Sequence, residues 1–310
     1  MQAQYSTMTN NPAISAIVST KGRTHQLTTL MASLKKQSFQ DFEIIVVDQN
    51  ENSLPEELFK QFEFRFPIQH LHTPEQQGCS RGRNRGLALS RAETVTFPDD
   101  DCWYPDTYFE RALRIMRDLS LDALTGRPTD ESGNTIDGRY ERTAQWIDRG
   151  NVWTTQIEWI AFWRRVPLVQ IGGFDELIGV GAQTPWQSAE GQDLMLRLLD
   201  AGGSCWYDPS LNGHDAGTNQ SQITPPMIVR ARHYGRGLGY VLRKHGCQRT
   251  ALNLMVRSIG GATLNLAQAR LPQARFHAAA ALGRLEGLIG RCLSDVPMPP
   301  AAKTERSFVG

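Results

Sequence analysis

Apolar runs alternate with helical patterns along the first hundred residues. Residues 13–20 (AISAIVST) and 42–48 (FEIIVVD) are continuous apolar runs rich in β-branched side chains, which predicts buried strands. Strands of this kind, separated by helices, indicate a parallel sheet that is covered on both faces. The remaining elements predicted in this region are helices at 24–37 and 80–92 and strands at 68–72 and 93–98.

The second half of the chain has a less regular pattern. Residues 125–150 are polar and rich in glycine, so we expect a loop there, and a second glycine-rich loop at 171–187. Further strands are predicted at 159–165 and 206–211, a helix at 194–202, and helices through most of the segment after Pro225 and Pro226. This pattern predicts an α/β domain at 1–223, a C-terminal helical segment at 224–294 and a flexible tail at 295–310.

Charge is divided unevenly along the 310 residues, although the net charge is only +1. Residues 228–292 hold 11 lysines and arginines against one acid, Glu286, whereas residues 1–227 hold 20 against 29 acids. A basic segment of this kind is typical of a protein that works beside an anionic membrane surface, and a solvated helix face is the other interpretation. We expect the segment to bind membrane and not nucleic acid.

The cysteines and the hydropathy pattern predict where the protein works. The five cysteines form no CxxC pair, which indicates neither a zinc knuckle nor a disulfide framework. The N-terminal residues lack the pattern of a secretory leader, and no run of about 18 apolar residues occurs. We therefore expect a cytoplasmic protein, either soluble or peripheral at the inner face of the plasma membrane.

Three consecutive aspartates, Asp99, Asp100 and Asp101, follow the predicted strand at 93–98. Like charges this close raise one another's pKa unless a cation or several hydrogen-bond donors lie among them. Thr20 and Arg23 follow the first strand and Asp48 ends the second. Because ligands of such sheets bind at the carboxyl ends of the strands, these side chains should face one crevice.

Six segments occur in an order and spacing that resemble a family 2 glycosyltransferase of the bacterial polysaccharide-biosynthesis type. The resemblance runs from about Ala13 to His214, and it implies the glycosyltransferase A-type fold and a nucleotide-sugar donor. The fourth segment corresponds to the DxD motif of that family. The segments are STKGR, VVDQN, SRGRNRGLALSRAE, FPDDDCWYP, GGFDE and EGQDLMLRLLDAG.

The resemblance also implies roles for individual residues. Asp101 would be the direct ligand of Mn²⁺ or Mg²⁺, cations that prefer oxygen ligands, and His214 would be a second ligand. The metal would neutralise the diphosphate of the donor. Asp99 would bind the ribose, and Asp100 would support the loop. The remaining nucleotide-binding positions would be Thr20, Arg23, Asp48 and Arg83.

The acceptor side departs from the family at one position. Members of the family usually have adjacent acids there, with the second as general base, whereas this chain has Glu190 followed by Gly191 and then Asp193. We expect a helix to begin here with Ser188 as its cap, which leaves Glu190 and Asp193 as the candidate catalytic residues. We favour Glu190 as the base, with Asp193 holding either Arg197 or the loop.

The predicted function is metal-dependent transfer of a sugar, with inversion, from a UDP-sugar or another nucleoside diphosphate sugar to a glycan or lipid-linked acceptor in surface polysaccharide biosynthesis. Three alternatives remain: a catalytically silent nucleotide-sugar-binding protein, a sugar-phosphate nucleotidyltransferase and a haloacid-type phosphohydrolase. A nucleotidyltransferase would need a glycine-rich loop after the first strand, where STKGR has a single glycine. The phosphohydrolase would need an aspartate at the end of that strand, which instead ends in Ser19 and Thr20.

Overall fold

The computed structural model describes residues 11–60, 66–136, 138–215, 223–294 and 297. These residues form two compact units. The first holds the described residues up to Thr184 and those from Ala189 to 215, and the second holds Pro185–Ser188 and the described residues after Gln220. The predicted tail at 295–310 lies almost entirely outside the described residues. The predicted boundary at 223 and 224 stays a prediction, since residues 216–222 are not described either.

A single mixed sheet organises the first unit. Its strand order is β3-β2-β1-β4-β8-β6-β9-β5, and β7 pairs with β9 outside this path. The strands are β1 Ile14–Thr20, β2 Phe42–Asp48, β3 Ile68–His72, β4 Thr94–Thr96, β5 Cys102–Trp103, β6 Ala123–Thr129, β7 Gln145–Trp146, β8 Phe162–Arg164 and β9 Cys205–Asp215.

The strands predicted from the first hundred residues are parallel to one another, as expected. Strand β1 pairs with β2 from Ile14 opposite Phe42 to Thr20 opposite Asp48, and β4 and β3 extend the parallel sheet on either side. Strand β8 is antiparallel to both β4 and β6, so the far half of the sheet is mixed. The parallel half places the carboxyl ends of β1, β2 and β4 at one edge, where the predicted polar residues lie.

Seven helices accompany the sheet in the described part of the first unit. Helix α3 carries the RGRNRG sequence, and its glycines allow it to lie directly against β1. A Cβ at Gly82 would be 2.1 Å from Ser19 Oγ, and one at Gly86 would be 2.2 Å from Ile17 Cγ2. The helices are α1 Thr24–Lys35, α2 Glu56–Lys60, α3 Cys79–Leu89, α4 Tyr108–Asp118, α5 Val152–Thr155, α6 Arg165–Gln170 and α7 Glu190–Asp200.

The segment expected to be a loop at 125–150 begins instead with a buried strand. Strand β6 runs from Ala123 to Thr129 and contains Gly126 and Pro128, which obscure the strand pattern in the sequence. Gly126 is needed because a Cβ there would lie 1.8 Å from the carbonyl oxygen of Leu211 in β9. The loop prediction was therefore wrong at its start: close contact between two backbones, and not chain reversal, explains this glycine.

The second unit consists mainly of three long helices, α8 Pro225–Lys244, α9 Gln248–Ala267 and α10 Leu271–Ile289. Helices α8 and α10 approach each other at glycines; for example, a Cβ at Gly239 would lie 2.2 Å from the carbonyl oxygen of Arg284. Between them, the fully buried carboxylate of Glu286 accepts hydrogen bonds from Arg232 and Arg236. None of the helices in the described ranges combines the length and apolar character that crossing a bilayer requires.

Candidate active site

The aspartate loop after β4 is joined to the end of β1 by short hydrogen bonds. The hydroxyl of Thr20 donates to Asp100 Oδ2 at 2.6 Å, and Nη1 of Arg23 lies 2.9 Å from Asp100 Oδ1 and 2.6 Å from Asp101 Oδ2. Asp99 pairs with Ser19 as a single parallel bridge. The structure therefore brings together five of the predicted site residues, Thr20, Arg23, Asp99, Asp100 and Asp101, at one edge of the sheet.

Negative charge exceeds positive charge in this loop. Burial, together with the charges of Asp100, Asp99 and Asp215, raises the pKa of Asp101 to about 8, although the charge of Arg23 opposes this rise. Burial likewise raises the pKa of Asp100, although Arg23 and Thr20 stabilise its ionised form. Arg23 pairs with Asp100 and Asp101 and Arg83 with Asp99, so two arginines face the carboxylates of Asp99, Asp100, Asp101 and Asp215. A further cation would stabilise the ionised forms of these carboxylates.

The donor set at this edge fits a divalent cation that a substrate helps to bind. Strand β5 pairs with β9 so that Trp103 is opposite His214 and Cys102 is opposite Asp215. Cys102 is the residue that follows Asp101 in the chain. No cluster of three or more His, Cys, Asp or Glu side chains in the described part of the chain could hold a metal on its own. Mg²⁺ in particular usually takes one or two carboxylates together with substrate phosphates, so a site built on the carboxylate of Asp101 and the donor's diphosphate would not need such a cluster.

His214 is held in place by its neighbours. Its Nδ1 lies 3.0 Å from Thr129 Oγ1, and its ring centroid is 6.0 Å from that of Trp103. Because a ligating histidine usually has its other ring nitrogen hydrogen-bonded, the Thr129 contact suits the role expected of His214. The ligand roles of His214 and Asp101 stay predictions.

Asp48 ends β2 beside Thr20, as expected, and it is fully buried. Its carboxylate accepts hydrogen bonds from the backbone N–H of Leu54 at 2.7 Å and of Asn50 at 3.0 Å, and Nε2 of His70 lies 3.0 Å from Oδ2. Burial alone would raise the pKa of Asp48, but these hydrogen bonds hold it below its usual value. In this structure Asp48 orders the loop after β2, and its contact with the nucleotide stays a prediction.

Arg83 is the central cation of the second part of the site. Its side chain is 2% exposed, and Nη2 lies 2.8 Å from Asp99 Oδ1 and 3.8 Å from Glu158 Oε1. Nη1 lies 3.3 Å from Glu190 Oε1. Arg81, two residues earlier in the same helix, is on another face and binds Glu176. Arg83 therefore connects the aspartate loop to the start of α7.

Helix α7 begins at Glu190 without the predicted cap. Ala189 precedes it in a left-handed conformation with φ of 70°, and no side chain caps the helix. The prediction for Ser188 was wrong, because its hydroxyl donates instead to the carbonyl oxygen of Tyr234 at 2.7 Å, within the second unit. A conformation that non-glycine residues rarely adopt is costly, and such residues are found disproportionately at functional sites.

The two acids of α7 have different surroundings. Glu190 is 5% exposed and contacts Arg83, whereas Asp193 is fully buried and accepts a hydrogen bond from Nε of Arg197 at 2.9 Å. Arg197 in turn donates to the carbonyl oxygens of Ile171 and Gly173. The expected contact between Asp193 and Arg197 is confirmed, and through it Asp193 holds the loop at 171–173.

Three residues near the site were not predicted from the sequence. Glu158 and Gln156 lie beside Gly191, and Asp215 adds to the field at Asp101. Glu158 opens a short 3-10 turn, Glu158–Ile160, and Gln156 follows α5. No motif marks either residue in the sequence. The one relevant signal was the glycine at 191, which leaves room for a neighbouring side chain.

Comparison with known proteins decides the family. Residues 15–166 match the model of the family described as "Glycosyl transferase family 2". These residues form a glycosyl transferase family 2 domain. The matched residues span β1 to β8 and include the aspartate loop, Arg83 and Glu158, whereas α7 and the second unit follow the family 2 match.

Two curated relatives of this family 2 chain are named as glycosyltransferases. The Bacillus subtilis (strain 168) protein EpsH is 29% identical over 139 residues, which are 43% of this chain and 40% of EpsH. An uncharacterized glycosyltransferase of Haemophilus influenzae is 25% identical over 187 residues, 60% of this chain and 62% of the relative. The matches thus span less than two thirds of either relative.

Solved structures share the fold of this family 2 chain over most of its length. S. aureus TarS residues 1–349 align with a TM-score of 0.55 at 17% identity, covering 91% of this chain and 93% of that one. The mannosyltransferase PcManGT from Pyrobaculum calidifontis, solved with GDP-Man and Mn²⁺, aligns with a TM-score of 0.59 at 15% identity, covering 89% and 88%. The likeness confirms the predicted glycosyltransferase A-type fold.

Proposed function

We propose that this family 2 chain is a metal-dependent glycosyltransferase that moves a sugar, with inversion, from a nucleotide-sugar donor to a hydroxyl of a glycan or lipid-linked acceptor in surface polysaccharide biosynthesis. The observation that carries the proposal is the edge of the sheet where three consecutive carboxylates meet two arginines: Arg23 pairs with Asp100 and Asp101, and Arg83 pairs with Asp99. Such an excess of carboxylates suits the cation that accompanies a diphosphate. Family membership supports transferase chemistry.

Structural neighbours support a nucleotide sugar as the donor. TarS has been solved in complex with UDP and with UDP-GlcNAc, and PcManGT in complex with GDP-Man and Mn²⁺. We infer a nucleoside diphosphate sugar for this chain as well. Asp48, Thr20 and Arg23 would line the nucleoside end of the crevice, and Asp99 would accept a hydrogen bond from the ribose.

Asp101 and His214 would hold Mn²⁺ or Mg²⁺ at the diphosphate. Such a cation neutralises the charge that develops on the departing nucleoside diphosphate. Asp100 keeps Asp101 in place through the contacts that Arg23 makes with both carboxylates. Arg83 contacts both Asp99 on the donor side and Glu190 on the acceptor side. These two contacts would keep the donor and the acceptor in a fixed arrangement.

The acceptor hydroxyl must lose a proton as it attacks the anomeric carbon, so a carboxylate is needed near that hydroxyl. The carboxylates around Arg83, which include Glu190, are the candidates on the acceptor side. Asp193 would instead hold the loop at 171–173, because its carboxylate is paired with Arg197, which donates to that loop. Inversion follows from a single displacement in which the acceptor attacks from the face opposite the diphosphate.

The second unit is proposed to bring the enzyme to an anionic membrane surface. Helix α9 exposes Leu252, Val256, Ile259 and Leu266, which recur at a spacing that places them on one side of a helix. Arginines at 249, 257 and 270 lie in or just after this helix. An apolar stripe beside basic residues is typical of helices that bind anionic lipid.

A nucleotide-binding screen tests the proposed function. We expect one nucleoside diphosphate or its sugar derivative to raise the melting temperature in the presence of Mn²⁺, because a ligand at 100 times its Kd stabilises the folded state by about 2.7 kcal/mol. UDP, GDP, UDP-GlcNAc and GDP-mannose are the first compounds to test. Failure of every nucleoside diphosphate and sugar nucleotide to stabilise the protein, with or without metal, would reject the proposal. Binding without sugar transfer or hydrolysis would favour the catalytically silent alternative.

A further inference from the structure

Gly191, in the first turn of α7, has a carboxylate where its side chain would be. A Cβ at this position would lie 2.6 Å from Glu158 Oε2 and 3.2 Å from Glu158 Cβ. Any other residue at 191 would displace Glu158, which reaches this place from the 3-10 turn before β8. Glu158 can therefore occupy this place because residue 191 has no side chain.

A second polar group points to the same place. Nε2 of Gln156 would lie 3.1 Å from a Cβ at Gly191. Gln156 is only 2% exposed, yet neither its Nε2 nor its Oε1 has a hydrogen-bond partner in the part of the chain that the structure describes. Its backbone is fixed beside α7, because Gln192 Nε2 donates to its carbonyl oxygen at 3.2 Å.

A buried amide without a partner is costly, so such a group calls for a ligand. The N–H of Gln156 can donate a hydrogen bond, and the carboxylate of Glu158 can accept one. A hydroxyl group both accepts and donates, so it can satisfy the two side chains at once. The Gln156 and Glu158 side chains around Gly191 thus form a site that fits a sugar hydroxyl.

We propose that Glu158 is the catalytic base of this chain and that Gln156 orients the acceptor hydroxyl toward it. The inference rests on the proposed function and identifies the base within it. The hydroxyl proton passes to the Glu158 carboxylate while the hydroxyl oxygen forms a bond to the anomeric carbon. The bond from that carbon to the diphosphate oxygen breaks, and its electron pair leaves with the nucleoside diphosphate.

The charges around Glu158 suit this role. Burial, together with the charges of Glu190 and Asp99, raises the pKa of Glu158 to about 8, although the charge of Arg83 opposes this rise. Burial raises the pKa of the nearby Cys79 thiol, and the charge of Glu158 adds to that rise. A base is most effective when its pKa is near the working pH. The side chain of Glu158 is 19% exposed, against 6% for that of Glu190.

The two acids of α7 are less suitable as bases. Asp193 is fully buried and held by Arg197, and Glu190 is held by Arg83 with its side chain only 6% exposed. In this account Glu190 keeps Arg83 in place, and it is a positioning residue. This assignment differs from the sequence-based prediction of Glu190, because the contact between Glu158 and Gly191 joins segments that are distant in the sequence.

The test compares Glu158→Gln with Glu190→Gln in the full chain. Mn²⁺ and the sugar nucleotide that best stabilises the protein are supplied, and release of nucleoside diphosphate to water or acceptor is measured. We expect Glu158→Gln to lower kcat about 10² to 10⁴ fold. Glu190→Gln should lower it less than tenfold. Glu110→Gln, at an exposed position of α4 that contacts Ser38, is the matched control.

Three further readouts separate catalysis from folding. Glu158→Gln should bind the nucleoside diphosphate with a Kd within about threefold of wild type. We expect the kcat of wild type to rise with pH between about pH 6 and 9, and Glu158→Gln should lose that pH dependence. Glu158→Ala should also lose activity, and Gly191→Asp combined with Glu158→Ala should recover part of it, because the new carboxylate enters the space that Glu158 leaves.

Two results would overturn the inference and leave the proposed function intact. One is Glu158→Gln with a kcat within threefold of wild type, and the other is the large loss in Glu190→Gln instead. A wild-type chain that binds sugar nucleotides but releases no nucleoside diphosphate would reject the proposed function itself.

Discussion

Replacement of Arg83 by methionine should destabilise the first unit strongly, because this buried cation serves three carboxylates. Methionine keeps most of the side-chain length but removes the charge that faces Asp99, Glu158 and Glu190. Breaking a buried ion pair by removing one partner costs about 3 to 5 kcal/mol. Asp99 is 34% exposed, so water compensates part of its loss. We therefore expect about 3 kcal/mol.

Helix α3 itself offers a matched control. Arg81 binds Glu176 at 3.0 Å, but both side chains are partly exposed, and such pairs contribute about 0 to 1 kcal/mol. Arg81→Met should therefore change stability by less than 1 kcal/mol. With a urea m-value of about 2 kcal/mol/M, Arg83→Met should lower the midpoint by about 1.5 M and Arg81→Met by less than 0.5 M.

The pH dependence of this loss has a definite sign. Without Arg83, the pKa of Glu158, which burial already raises, rises further in the folded protein, so the folded state binds more protons than the unfolded state. Stability of Arg83→Met should then fall more steeply than that of wild type as the pH rises from 6 to 9. Equal urea midpoints for Arg83→Met and Arg81→Met, or a destabilisation that shrinks as pH rises, would refute this reasoning.

Three other changes test separate parts of the molecule. Asp101→Ala should abolish the effect of Mn²⁺ on nucleoside diphosphate binding in calorimetry, and Asp99→Asn should weaken binding less; equal affinity of wild type with Mn²⁺ and with chelator would contradict this. Hydrogen bonds from arginines lower the pKa of Glu286 to about 2 despite burial, so its contribution to stability is present above about pH 4.5 and lost as pH falls toward 2. Glu286→Gln should lack that acid-dependent loss in thermal melts, and identical curves would argue against it. Wild type should float with anionic liposomes at low salt while a variant with Leu252→Asp and Val256→Asp should not; wild type that stays unbound would reject the membrane proposal.

The sheet and the donor side of the site were predictable because local sequence determines them. Continuous apolar runs gave β1 and β2, and the position of Asp48 and of Asp99 at the ends of the two parallel strands that flank β1 follows from strand order. Helical spacing likewise predicted the start of α1 and the C-terminal helices. These features depend on residues that are close in the chain or on the geometry that every parallel sheet shares.

The acceptor side was not predictable because it depends on contacts between distant segments. Glu158 reaches Gly191 across 33 positions of the chain, and nothing in the sequence around either residue indicates the contact. Gly126 and Pro128 hid the strand β6 for a similar reason, since the need for glycine there comes from Leu211 in β9. Ser188 had the sequence of a helix cap, but its hydroxyl bonds to Tyr234 instead.

Product analysis after incubation with sugar nucleotides tests most directly whether this chain is a metal-dependent glycosyltransferase. Purified protein is given UDP-GlcNAc or GDP-mannose with Mn²⁺, and the nucleotide products are separated and quantified. We expect release of the nucleoside diphosphate from one of the sugar nucleotides tested. A chelator should stop this release, and Asp101→Ala should lack it. Formation of a nucleoside triphosphate when pyrophosphate is added would instead indicate a nucleotidyltransferase. The absence of any metal-dependent nucleoside diphosphate release across a full panel of sugar nucleotides would contradict the account.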